Sequence, residues 1–227
     1  LTRRSQNYTR EPDKCKLTRA EMDQPIVFTP EEVNLLTDET FFLAKARIMG
    51  KVRASLDTIY TGLQEELAGV TLLAPPGFDG KKCQFVKGEH LEDYPYQYLD
   101  FPKHFNGDDK FTFRSLFWWG HHFAFALILE GEGVTRYKQN LIDRYGKVAD
   151  RHLSLCLGPS LWEWKRGNGY TLPMTRDRRP EVAAVLSGRR FFKLARFVRL
   201  DDPVVREGRL AAIGRETVRA VLPVITP

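Results

Sequence analysis

The sequence predicts an α+β fold: a mainly antiparallel β-sheet with a long N-terminal helix and a C-terminal helix packed on it. Three observations lead there. Apolar residues recur at helical spacing through residues 41–67 and again after Pro203. Between residues 82 and 200, aromatic and β-branched runs are separated by Gly, Pro and Asn/Asp turns. Strands gathered between helical ends, instead of alternating with helices, favour antiparallel pairing.

Residues 1–28 read as an irregular lead-in, because they hold too little apolar surface to fix themselves. Arg3, Arg4, Arg10, Lys14, Lys16 and Arg19 would form a basic arm within it. A single α+β domain is expected over 29–227, with a helical part at 29–69, a sheet part at 82–200 and a terminal helix at 203–222. Thr29-Pro30-Glu31-Glu32 combines a capping hydroxyl, a first-turn proline and acids at the positive end of the dipole, so a short helix starts there and ends near Leu36. Thr37 or Asp38 caps the long helix, whose stripe is Phe41, Ile48, Val52, Leu56, Ile59, Leu63 and Leu67. Gly69 closes it, and Gly50 or Gly62 is a place for a bend.

Pro75-Pro76-Gly77 breaks the chain, and strands follow. Lys82–Val86 is the first, with Gly88–Asp93 as a turn. Tyr94–Pro102 has a proline near each end, which suits an edge strand. Asn106-Gly107-Asp108-Asp109 is turn chemistry. Phe111–Trp119 and Phe123–Glu130 form a hairpin around Gly120-His121-His122, and the second strand is apolar on both faces, hence interior. Thr135–Tyr145 reads as a helix, and His152–Leu157 with Leu161–Lys165 as a second hairpin. A short helix follows Pro180, and Arg190–Leu200 is a strand. Asp201 or Asp202 caps a final helix opened by Pro203.

Size and charge bound the function. A chain of 227 residues can bury one substantial core, and no apolar run approaches the roughly 20 residues of a membrane span. Three widely spaced cysteines argue against a disulfide framework and for a reducing, cytoplasmic setting; Cys83 and Cys156 read as small buried residues. Residues 1–130 carry 16 Lys/Arg against 19 Asp/Glu, and residues 131–227 carry 19 against 10. The basic excess is dispersed through strands and helices, as on a solvated face; nucleic-acid binding through the C-terminal half is the weaker alternative.

Four constellations carry chemistry. His90, His104, His121 and His122 lie among Glu89, Asp93 and Asp100, but their spacing fits no metal-site pattern, so neither metal nor cofactor is expected. Arg114 lies in a strand of phenylalanines and cannot shed its charge by losing a proton, so it needs a carboxylate, and Glu89 or Asp100 supplies one. That pair is either a buried structural device or an anchor for a carboxylate or phosphate in a cleft. Trp118, Trp119, Trp162 and Trp164 either fill the core or stack on a ligand, with Trp162 and Trp164 on one strand face. Residues 189–199 interleave basic and aromatic side chains, as a base-stacking platform or a charged edge strand would.

Gly88-Glu89, Tyr94-Pro95-Tyr96, Leu99-Asp100-Phe101-Pro102, Phe113-Arg114 and Phe117-Trp118-Trp119-Gly120 resemble, in order and spacing, the motif of a bacterial protein family with no established activity. The resemblance spans about residues 36–165. It places Glu89, Asp100 and Arg114 on motif positions, with His90 where the family pattern has asparagine, and leaves His121 and His122 outside. The favoured reading is a binding or assembly domain that holds a protein partner, a second copy or an anionic ligand, with Tyr96, Arg114, Trp118 and Trp119 as contacts. The alternative is an enzyme acting on an anionic small molecule, with Arg114 as anchor and Glu89 or Asp100 as acid or base.

Overall fold

Helix α1, Pro30–Leu36, begins with a closed capping box. The Thr29 hydroxyl accepts from the Glu32 amide at 3.2 Å, and the Glu32 carboxylate accepts from the Thr29 amide at 2.6 Å. Helix α2, Glu39–Leu67, starts on Asp38, whose carboxylate accepts from the Phe41 amide at 3.1 Å. It runs through 29 residues, so neither Gly50 nor Gly62 interrupts it. Gly69, at φ +73, turns the chain away.

The computed structural model describes residues 25–227. The chain divides into two compact units between Ala46 and Arg47, inside α2, whereas the sequence reading begins its domain at residue 29. Most of the expected lead-in, with the basic arm and Cys15, lies outside the described residues, and 25–29 have no regular secondary structure. In the first unit, α1 buries none of its side chains.

The second unit is built on seven antiparallel strands in the order β1-β2-β3-β4-β7-β5-β6. They are β1 Gln84–Leu91, β2 Tyr94–Asn106, β3 Asp109–Trp118, β4 His122–Glu130, β5 Ser154–Cys156, β6 Thr171–Pro173 and β7 Phe191–Arg199. Helices α3 Val134–Asp143 and α4 Tyr145–Val148 follow β4. Helix α5 Arg179–Ser187 precedes β7, and α6 Pro203–Arg206 and α7 Leu210–Ile225 end the chain. Alternation sorts the sheet's side chains. Leu99, Phe101, Phe113, Phe125, Leu127, Phe192 and Leu194 join the main core with Val52, Leu56, Ile59 and Leu63 of α2 and with Ile213, Val218 and Val221 of α7. Leu116, Trp118, Ala124, Ala126, Ile128 and Ala195 form a smaller core on the other face, closed by Leu161 and Trp164. The long and final helices thus share one face, as the sequence implies, and β4 is buried on both sides.

Several elements differ from the sequence reading. β2 lies inside the sheet, between β1 and β3. Its prolines are tolerated because Pro95 is at the strand start and Pro102 sits where the register shifts between Asp100 and Lys103. β1 extends to Leu91, and the turn is only Glu92-Asp93, both at positive φ. The strand facing β5 is β6, not Leu161–Lys165, because the Leu161 and Glu163 carbonyls accept from Lys193 Nζ at 2.9 and 2.5 Å instead of from a ladder. β7 is interior, between β4 and β5. With Phe192, Lys193, Leu194 and Ala195 all buried, it is neither a charged edge nor an open base-stacking platform. The terminal helix is split at Gly208, φ +69, and runs on to Ile225. Its last carbonyls are covered, Pro223 and Thr226 accepting from Arg144 at 3.0 and 2.9 Å. Cys156 is buried, but Cys83 is exposed.

Candidate functional site: an aromatic cleft around Arg114

The β2–β3 register sets Asp100 directly opposite Arg114, on the sheet face away from the long helix. Arg114 Nε and Nη2 donate to the two Asp100 oxygens, each at 2.7 Å. Asp100 is fully buried and Arg114 is 5% exposed. This is the bidentate geometry for which a guanidinium is shaped. Asp100 takes two of the five guanidinium N–H donors.

Tyr98, two residues before Asp100, points to the same face, and the Arg114 guanidinium lies 3.7 Å from its ring centre. Trp162 and Trp164 approach from the segment after β5, with ring centres 4.9 and 5.8 Å from the guanidinium. That segment is held by Lys193, which donates to two of its carbonyls and stands 3.7 Å from the Trp164 ring centre. Burial lowers the Lys193 ammonium to about 8, and Arg114 pushes the same way. Burial likewise raises Tyr98.

These side chains frame a cleft of about 390 Å³, lined by Tyr96, Tyr98, Phe105, Arg114, Trp162 and Trp164 together with Gln84, Leu91 and Leu116. Tyr96 and Tyr98 stack along one wall, nearly parallel at 6.1 Å. Phe105 and Trp162, also in the lining, meet edge to face at 6.0 Å.

Of the residues singled out by sequence, Arg114 and Tyr96 line the cleft and Asp100 orients Arg114. Trp118 is buried in the smaller core, with Nε1 donating to the Leu91 carbonyl at 2.9 Å. Trp119 packs on the opposite, helix-covered face beside Phe117. Adjacent residues on a strand must part in this way, so the two indoles cannot share one ligand. Glu89 is exposed on β1 and does not line the cleft. Tyr98 was missed, although counting back by twos from Asp100 finds it and Tyr96 on one face. No sequence pattern flags Phe105, and Lys193 stands out only as one basic residue of the interleaved 189–199 run; their roles here depend on the β2 bulge and on the loop after β5.

The histidines are dispersed: His90 and His121 are exposed, His104 and His122 buried. Among the described residues no group of three or more His, Cys, Asp or Glu is placed to hold a metal ion. His121 stacks on Trp118 at 3.6 Å, and His122 meets Trp118 and Phe197 edge to face. Burial lowers His122 to about 3, helped by the charges of Arg166, His121 and Lys193, against a backbone hydrogen bond at Trp164.

Much of the basic excess is tied down. Arg196 pairs with Glu216, Arg199 with Asp201, Arg209 with Glu207, Arg215 with Glu65 and Arg219 with Glu66. Among the described residues no helix is long and apolar enough to cross a membrane. No family model, curated protein or solved structure matches the chain.

Proposed function

We propose that this protein is a binding domain whose aromatic cleft holds a small ligand through a carboxylate or another anionic oxygen at Arg114. One observation carries the reading: Arg114 lines the cleft while a fully buried carboxylate fixes its plane through two of its five N–H donors. The flanking rings offer flat surfaces for the rest of the ligand. Asp100 already cancels the charge of Arg114, so recognition is directional, and binding falls only weakly with salt. Catalysis with Asp100 or Glu89 as acid or base draws less support, because Asp100 gives both oxygens to Arg114 and Glu89 lies off the cleft.

Titration with benzoate, a flat ring bearing one carboxylate, tests this through quenching of Trp162 and Trp164 fluorescence. Saturable quenching that is lost when Arg114 and Asp100 are together replaced by Met and Leu supports the reading. Quenching that never saturates, or that persists in the double variant, refutes it.

The assembly reading has its own support in the first unit. Leu35, Leu36, Phe41, Phe42 and Leu43 are between 48% and 68% exposed, an apolar concentration of the kind that marks a contact with another chain. Sedimentation velocity over a concentration series tests self-association, which a constant monomer would exclude.

A further inference from the structure

A second hollow lies on the helix-covered side of the second unit, away from Arg114. Its volume is about 500 Å³. Its lining brings together Lys147 of α4, Asp150, Arg151 and His152 of the following loop, Arg196 of β7, and Glu216 and Arg219 of α7. Four of these side chains are cationic and two are anionic. Arg196 is only 16% exposed and pairs with Glu216 at 2.9 Å. Asp150 is drawn toward Arg176, at 3.2 Å. Among the described residues Lys147 and Arg151 have no ion-pair partner, so the hollow keeps unneutralised positive charge.

The loop is built in an unusual way. Asp150 and His152, on either side of Arg151, both adopt left-handed backbone, at φ 61 and 57. Glycine would take that conformation without steric cost, but it would supply no side chain. Strained residues persist where the surroundings over-determine them, and they gather at ligand sites. The surroundings here do so. The Asp150 amide donates to the Met174 carbonyl at 2.8 Å, and the Met174 amide to the Leu153 carbonyl at 2.9 Å. Val148, Ala149 and Leu153 are buried on either side of the strained pair. A pinned backbone thus presents three consecutive exposed polar side chains over a hollow with surplus positive charge.

We infer that this hollow is a binding site for a phosphorylated small molecule, with Arg151 and Lys147 as the phosphate contacts. A dianionic phosphate matches the excess of two positive charges. Unlike the cleft at Arg114, this site works by net charge, so its affinity falls steeply with salt.

The test is calorimetric titration of the full chain with inorganic pyrophosphate at low salt. The expected result is saturable one-site binding, weakened at least tenfold when Lys147 and Arg151, both exposed, are changed together to Ala. Binding should be unchanged in the Arg114→Met/Asp100→Leu variant, which separates this site from the cleft. Absence of saturable binding overturns the proposal. So does binding that the Lys147/Arg151 variant retains in full, or binding that disappears with Arg114.

Discussion

Asp100 and Arg114 face each other across neighbouring strands, fourteen residues apart in sequence, with both carboxylate oxygens on one guanidinium at 2.7 Å. The pair follows from a physical demand. An arginine among phenylalanines cannot lose its proton, and leaving it unpaired in a core is costly. Breaking the pair one-sidedly, as in Asp100→Asn or Arg114→Met, is expected to destabilise the fold by about 3–5 kcal/mol. The Arg114→Met/Asp100→Leu double variant should lose much less than the sum, since it leaves no buried charge behind. Urea denaturation of all three variants checks this; additive losses would show that the two side chains do not depend on each other.

His122 supplies a pH dependence. Its folded pKa lies near 3, well below the ordinary 6.5. Between those values the unfolded chain takes up a proton that the folded chain does not. Stability from this group is therefore full above pH 6.5 and is lost as the pH falls toward 3. The loss between pH 7 and pH 4.5 should be about 2–3 kcal/mol, in a window where most carboxylates stay ionised. Urea midpoints across that range should fall in the native protein and flatten in His122→Leu; equal slopes would remove His122 from the account.

Gly88 shapes the cleft wall. A Cβ built there would lie 2.5 Å from the Tyr96 ring, which must then move. Gly88→Ala is expected to destabilise by about 1–3 kcal/mol and to weaken benzoate binding by displacing Tyr96. A variant with unchanged binding would show that Tyr96 does not shape the ligand site.

How far the sequence reveals the molecule depends on the range of the forces involved. The long helix, the two-faced burial of β4 and the Arg114 partner follow from periodicity or from one residue's chemistry, and the structure has all three. The sequence is a poorer guide where a distant group, a register shift or the alternation of neighbouring strand residues decides the outcome. Leu161–Lys165 alternates like a strand, yet Lys193, about thirty residues on, takes the carbonyls a ladder would need. Trp118 and Trp119 are neighbours in the sequence, yet strand geometry sends them to opposite faces, so they do not form one ligand surface. Tyr94–Pro102 was placed at an edge by its prolines, and the register shift at Pro102 admits it to the interior.

The apolar stripe of α2 is continuous in the sequence, but burial divides it. Phe41 and Ile48 are 48% and 40% exposed, whereas Leu56 and Ile59 are each 1% exposed. Phe42→Ser should therefore change unfolding stability by less than about 0.5 kcal/mol, and Leu56→Ala should cost about 2–5 kcal/mol. Thermal or urea melts of the two variants compare them; a large loss for Phe42→Ser would mean that another surface covers that side chain.

Arg114 is proposed to hold an anionic ligand in the cleft through N–H donors that Asp100 does not take. The most direct measurement is NMR of the arginine side-chain N–H groups during a benzoate titration, with the Arg114 signals assigned by their loss in the Arg114→Met/Asp100→Leu variant. The Arg114 resonances are expected to shift saturably, along the same curve as the tryptophan quenching, while other arginine signals stay in place. Arg114 resonances that do not move while the protein remains folded and the probe is in excess would contradict the claim.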